Sequence, residues 1–285
     1  MKNPYKRSDV FSCNFRSHSR FENRVSAYHV LRAKKCWPQG CIYYRWSCEL
    51  KNKGKSCRRG FEYIGRLCEG CSHFLDEKVH YQPRLLLNEE EYRRFLLELE
   101  EFDEWIEENR WRELEAACEI ESVKPHFRKT FYGNKAQLRL AGYLAVAKRG
   151  YIGLVDFDDC FYLYLSPHQQ EQLRLAAEDR LEFRGRVSLD RGRLVFQRTR
   201  SLQIVQKSGR AAWNNSQALV ARCAATEFDR QPAGCIRCVH GALIDVTLAD
   251  AKRPVPQRAL YCLQGVKEPE WCTIRLFEKM DNCRN

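Results

Sequence analysis

The cysteines of this chain constrain its fold more than any other feature. Six of the fifteen lie between residues 36 and 71 and six between 223 and 283. Each group contains a C-x-x-C followed, one residue on, by a histidine: "CEGCSH" at 68–73 and "CIRCVH" at 235–240. Such a turn offers two thiolates from one tight loop, and a distant pair of ligands closes a tetrahedral zinc shell. The segment "MKNPYKRSDVF" carries charge with no apolar stretch behind it, and no apolar run reaches the roughly 18 residues that span a bilayer. The expectation is a cytoplasmic chain, with no membrane partner, whose thiols stay reduced and serve metal ligation rather than disulfides.

In the N-terminal group Cys68 and Cys71 form the pair, with Cys48 and Cys57 expected to complete the site. Cys36, Cys41 and His73 remain for a second site with another histidine. In the C-terminal group Cys235, Cys238, Cys262 and Cys272 are the simplest set, with Cys223, His240 and Cys283 in reserve. His73 and His240 are also accounted for by facing solvent or bonding the turn backbone. Cys13, Cys118 and Cys160 stand alone and read as small buried hydrophobes. A stretch as poor in aliphatic residues as "ELKNKGKSCRRGFEYIGR" needs a staple to stay folded. The expected cofactor is Zn2+. A 4Fe-4S cluster is the alternative, because four thiolates hold either.

Net charge is +12 and unevenly spread. Residues 1–84 carry +11 (18 basic, 7 acidic) and residues 85–122 carry −10 (4 basic, 14 acidic). Residues 123–209 carry +8 (16 basic, 8 acidic) and residues 210–285 carry +3 (11 basic, 8 acidic). Four segments follow from these boundaries: a basic Cys-rich module, an acidic helix, a strand-rich domain and a second Cys-rich module. Basic blocks of this size suit phosphate-rich partners, although a solvated surface has the same composition.

Asn88 reads as an N-cap with Glu91 as its capping-box partner, and Tyr92, Phe95, Leu96, Leu99, Phe102 and Ile106 recur at helical spacing. The pattern predicts one long amphipathic helix over 89–118. It serves either as a connector packed on its neighbours or as a docking helix for a protein partner. From Lys135 onward the period changes to that of strands: "KAQLRLAGYLAVAKRG", "YIGLVDFDD" and "CFYLYLS". A short helix follows, with Ser166 at its cap and Pro167 at its first position. Then come "RLEFRGRVSL", "LVFQR" and "SLQIV".

Three strands, a helix and two or three strands is the order of an OB-fold. The stretch "LRLAGYLAVAKRGYIGLVDFDD" with "DRLEFRGRVSLDRGRLVFQRTRSLQIV" resembles the nucleic-acid-binding OB-fold superfamily. The resemblance rests on Gly142 in the first strand, the acidic end of the second, and the G-x-V-x-x-x-x-G-x-L run at 185–194. It covers about a quarter of the chain. The expected fold class is α+β: a central five-stranded OB-type β-barrel flanked by two cysteine-rich metal-binding modules, with one long amphipathic helix.

Alternation places Leu138, Leu140, Leu144, Phe161, Leu163, Leu165, Leu181, Phe183 and Val187 inward. It places Arg139, Tyr143, Tyr162, Tyr164, Arg184 and Arg186 outward. Lys148, Arg149 and Tyr151 fall in the first hairpin, and Arg191 and Arg193 in the last. Exposed tyrosine and arginine together supply base stacking and phosphate neutralisation. The expected partner is therefore single-stranded DNA or RNA. The alternative is a zinc or iron–sulfur accessory subunit whose barrel and acidic helix dock proteins. There is no P-loop, G-x-S-x-G or H-E-x-x-H. "DFDD" at 156–159 reads as a turn before it reads as a magnesium site, so the sequence leans against an enzyme.

Overall fold

The computed structural model describes residues 1–249 and 257–273, and Cys283 lies outside them. The chain divides into two compact units: Ser8–Asn88, and Met1–Arg7 together with the residues from Glu89 onward.

The Ser8–Asn88 unit contains five short strands: β1 (Phe11–Ser12), β2 (Arg24–Val25), β3 (Cys41–Cys48), β4 (Phe74–Tyr81) and β5 (Arg84–Leu85). The one-turn helix α1 (Glu49–Asn52) follows β3. β1 lies between β2 and β5, and β3 pairs antiparallel with β4 from Cys41–Tyr81 to Cys48–Phe74. Its core is thin: Phe11, Val25, Ala27 and Val30 are buried, and Phe15 stacks on Tyr43 at 4.0 Å.

The larger unit begins with α2 (Glu89–Asn109), which ends sooner than the periodicity predicts. Its apolar stripe stops at Ile106. Asn109 then turns its side-chain amide back to the Trp105 carbonyl at 2.8 Å. Beyond Trp111 the sequence "ELEAACEI" alternates with period two and enters a strand. Phe95 and Phe102 are fully buried, with Phe102 against Tyr5, Trp105 and Phe157, so the centre of the stripe is covered by the chain's own core while Leu96 at its edge stays exposed.

The remaining elements are β6 (Glu113–Tyr132), β7 (Lys135–Ile152), β8 (Val155–Phe157), β9 (Phe161–Leu165), α3 (Pro167–Leu173), β10 (Arg180–Asp190), β11 (Arg193–Gln206), α4 (Asn215–Ala224), β12 (Thr226–Phe228), α5 (Ala233–Arg237), β13 (Gly241–Leu248) and β14 (Gln257–Cys262). They form one nine-stranded sheet in the order β12-β14-β13-β6-β10-β11-β9-β7-β8, with a further β6–β7 pairing. All pairings are antiparallel except β9–β11 and β6–β13. α3 and α4 each start on a capping box, Ser166 with Gln169 and Asn214 with Gln217.

This architecture corrects the expected fold class. The protein is mixed α/β with a nine-stranded sheet, not a five-stranded barrel set between two separate metal-binding modules. Two features of the chain account for the difference. Residues 113–132 are a strand of 20 residues, and β7 has 18, against about 5–6 for an ordinary strand. The outer part of β6, Arg128–Phe131, receives β13 along its edge, so the C-terminal cysteine block is built into the sheet.

A bulge sets which side chains point inward. His126 pairs with Gly142 and Phe127 with Leu140, so Ala141 is skipped. One unpaired residue reverses the faces on either side of it. Before the bulge, Leu138 and Leu140 pack on a core of Phe127, Ala221, Ala242, Ile244, Tyr261 and Leu263. After it, Tyr143, Ala145 and Ala147 are the buried positions, beside Phe161, Leu163 and Phe196.

Candidate nucleic-acid interface and candidate metal ligands

The bulge decides the fate of Tyr143. The residue is fully buried, its hydroxyl donates to Asn215 Oδ1 at 3.0 Å, and burial pushes its phenol up to about 12. An outward Tyr143 is corrected on this ground. Tyr162 and Tyr164 do stand on the other side of β9 from Phe161, Leu163 and Leu165. Their faces are occupied, however. Lys6 Nζ and the Arg193 guanidinium lie 5.7 Å and 5.0 Å from the Tyr162 ring centroid. The His126 ring meets Tyr164 at 5.1 Å, and the Tyr164 hydroxyl donates to Asp190 Oδ2 at 3.3 Å. Burial, reinforced by the Asp190 carboxylate, pushes the Tyr164 phenol up to about 12.

Behind these rings runs an ionic network. Arg258 pairs with both Asp190 and Asp245, through Nε to Asp245 Oδ1 at 3.0 Å. His126 Nε2 is 3.3 Å from Asp245 Oδ2, and Arg191 is 3.6 Å from Asp245 Oδ1. Burial alone would raise the Asp245 pKa; His126 and Arg258 outweigh it and hold the carboxyl well below the usual range. Arg191 and Arg193 are thus engaged within the protein.

The outward basic residues are Arg139, Lys148, Arg149, Arg184 and Arg186. Register brings others to them. Arg139 lies directly across from Arg128, and Arg184 directly across from Arg200. Arg184 also pairs with Glu115, whereas neither Arg128 nor Arg139 makes an ion pair among the described residues. A groove of about 600 Å³ runs over β6 between Tyr151 on one side and Arg184, Ser201 and Gln203 on the other, with Glu115 and Glu182 also in its lining. Tyr151 is 60% exposed and stands opposite Ala117. Arg128, Arg200, Ser201 and Gln203 escape a reading of the sequence, because β6 has to be recognised as a strand before its cross-strand partners are defined.

The cysteines occupy three places. Cys48, opposite Phe74, closes the excursion that holds Cys57, Cys68 and Cys71. Both loops in that excursion are tight turns: Cys71 N–H donates to the Cys68 carbonyl and Gly60 N–H to the Cys57 carbonyl, each at 3.0 Å. Backbone N–H groups of Arg59 and Phe61 point at the Cys57 sulfur and lower its pKa. Arg59 Nη1 reaches the Leu67 carbonyl at 3.3 Å and ties the two loops. His73 Nδ1 lies 3.6 Å from Glu49. Cys36 and Cys41 fall at the opposite end of β3, so they do not share this group.

In the C-terminal block Cys235 is buried against Phe228 and Leu260, with Cys262 beside it. The His240 N–H donates to Cys238 Sγ at 3.5 Å, and its ring contacts Gln264 at 3.2 Å. Lys124 enters this turn. Its Nζ donates to the carbonyls of Ile236 at 2.9 Å and Gly241 at 3.1 Å, and burial pulls its pKa down to about 8. Cys223 is exposed on α4, and Cys272 is half-buried. Among the described residues no three or more Cys, His, Asp or Glu side chains stand as a group able to hold a metal ion, which removes the two metal-binding modules from the fold as built.

Among the described residues no helix is long and apolar enough to cross a membrane. No protein-family model, curated protein or solved structure matches the chain.

Proposed function

We propose that this chain is a metal-stabilised nucleic-acid-binding protein that takes single-stranded DNA or RNA on the exposed basic strand surface of residues 113–206. One observation carries the reading. Arg128–Arg139 and Arg184–Arg200 are like-charge pairs placed directly opposite one another. Such pairs are destabilising by themselves, and an anionic backbone laid over them offsets that repulsion. The groove beside Arg184 adds Tyr151 as a stacking platform with Ser201 and Gln203 as polar contacts. The resemblance of residues 135–206 to the nucleic-acid-binding OB-fold superfamily supports the same reading. Zinc at cysteine sites, with an iron–sulfur cluster as the alternative, and a cytoplasmic setting that keeps fifteen thiols reduced belong to the proposal.

Fluorescence anisotropy with single-stranded DNA and RNA at two salt concentrations tests it. Affinity is expected to fall steeply with salt, and Arg128→Gln with Arg139→Gln should reduce the salt slope by about 1 per lost phosphate contact. Absence of binding at low salt rejects the reading. A second reading, an accessory subunit that docks proteins, is favoured by Leu96, Leu97 and Trp111, which are 41%, 66% and 74% exposed on and just after α2. It predicts a protein complex insensitive to salt and no anisotropy change with oligonucleotides.

A further inference from the structure

Cys13, left by the sequence among the solitary buried cysteines, is not solitary. It lines the same small cavity as His18, His29, Cys36 and Cys41, walled by Val25, Val30 and Pro83. Each donor is brought there by local structure. Cys13 follows β1 and donates its N–H to the Asn23 carbonyl at 2.9 Å. His18 sits in a short 3-10 helix, Arg16–Phe21. Cys36 and Cys41 bound a tight loop that Gly40 closes, its N–H on the Cys36 carbonyl at 2.6 Å with φ +84°. The sequence spacing is C-x4-H and C-x4-C.

We propose that Cys13, His18, Cys36 and Cys41 form a structural Zn2+ site that closes the Ser8–Asn88 unit. The inference is independent of the nucleic-acid reading. Three observations carry it. The His18 Nδ1 is buried with no hydrogen-bond partner, while the Cys13 backbone carbonyl engages the same ring. A buried ring nitrogen held bare in this way is what a metal-ligating histidine presents. Second, Cys36 and Cys41 are close enough to interact with one another, and Cys13 with both Cys36 and Tyr43, while the Cys36 thiol rests on the Val30 carbonyl at 3.9 Å. Third, the cavity has about 10 Å³, space for one small occupant. That suits a single ion and excludes a four-iron cluster.

The unit has a thin core, and three of its five strands have only two residues, so a staple is what it lacks. The four donors line the cavity without converging on one centre. Rotation of the cysteine side chains about χ1 brings the sulfurs to the ion. On binding, Zn2+ replaces three thiol protons, which leave to solvent, and His18 contributes the Nδ1 lone pair without losing a proton. His29, whose ring meets that of His18 edge-on at 5.0 Å, packs as the wall behind it.

The full zinc-loaded chain is alkylated with iodoacetamide, with and without chelator, and labelling is read at each cysteine by mass spectrometry. Cys13, Cys36 and Cys41 are expected to be protected and to become reactive together when zinc is removed. Labelling of these three that is unchanged by chelation overturns the site, because burial alone does not depend on metal. In parallel, Co2+-loaded wild type and His18→Cys are compared by visible absorption. Replacement of one nitrogen by a fourth thiolate should shift the ligand-field bands and strengthen the sulfur-to-cobalt charge transfer. Identical spectra overturn the assignment of His18. If His18→Cys does not fold, the alkylation pattern of the wild type decides.

Discussion

Gly142 sits so close to the Leu165 carbonyl oxygen that a Cβ on residue 142 would occupy the same space. Its φ is +147°, a conformation that other residues rarely adopt. Gly142 is also the partner of His126 at the bulge that reverses the inward face of β7. Gly142→Ala is therefore expected to lower stability by roughly 2–4 kcal/mol, since backbone strain and overpacking add. Urea unfolding should register this as an earlier midpoint with the same slope. An unchanged midpoint is incompatible with the β7–β9 approach described above.

Tyr151 and Tyr162 separate two versions of the binding surface. Tyr151 is open to solvent, whereas Tyr162 lies between Lys6 and Arg193. Tyr151→Ala should weaken single-strand binding by about 1–3 kcal/mol, the usual loss for one base stack, with little change in melting temperature. Tyr162→Phe keeps the ring and should leave binding unchanged. The reverse ranking in anisotropy titrations would place the interface on β9 instead.

Phe102 anchors α2. It is fully buried among Tyr5, Trp105 and Phe157, and Phe157 continues through Phe161 and Phe196 to Phe183. Phe102→Ala should cost about 3–5 kcal/mol, and Phe102→Leu clearly less, because the cavity left is smaller. Chemical denaturation of the two variants side by side measures the ratio. Equal losses would show that the aromatic ladder does not hold the helix.

Asp245 gives the pH dependence a definite sign. Its folded-state pKa is depressed by His126 and Arg258 in spite of burial. A depressed carboxyl stabilises the fold fully above its unfolded value of about 3.9, and the contribution is lost as pH falls below that toward the folded value. Wild-type stability should therefore fall below about pH 4. Asp245→Asn should be less stable at pH 6 and show a shallower fall between pH 4 and pH 2. Parallel curves for the two proteins would remove Asp245 from the acid response.

Much of the larger unit could be read in the sequence where one rule acts alone. Ser166 and Pro167 mark the start of α3, and the period-two runs at 135–150 and 180–190 mark strands. The stripe of α2 is equally plain as far as Ile106. What escaped is physical in each case. Residues 113–132 are hidden because their first half continues an acidic helix in composition and Pro125 interrupts the second. The inward face of β7 beyond Ala141 is hidden because alternation carries no record of a skipped residue, so Tyr143 turns inward where Leu144 was expected, while Leu138 and Leu140 before the bulge face the core as the alternation predicts. Cysteine spacing located the Cys68–Cys71 turn, which is local. It did not join Cys13 to Cys36 and Cys41, since their meeting depends on the long path from β1 to β3.

The parallel seam between β6 and β13 ties residues 128–131 to residues 245–248, more than a hundred positions later in the chain. During synthesis the outer rim of β6 therefore emerges long before its partner exists. A nascent or proteolysed chain that stops short of β13 offers Arg128–Phe131 as an unpaired strand edge, the kind of surface on which chains add to one another.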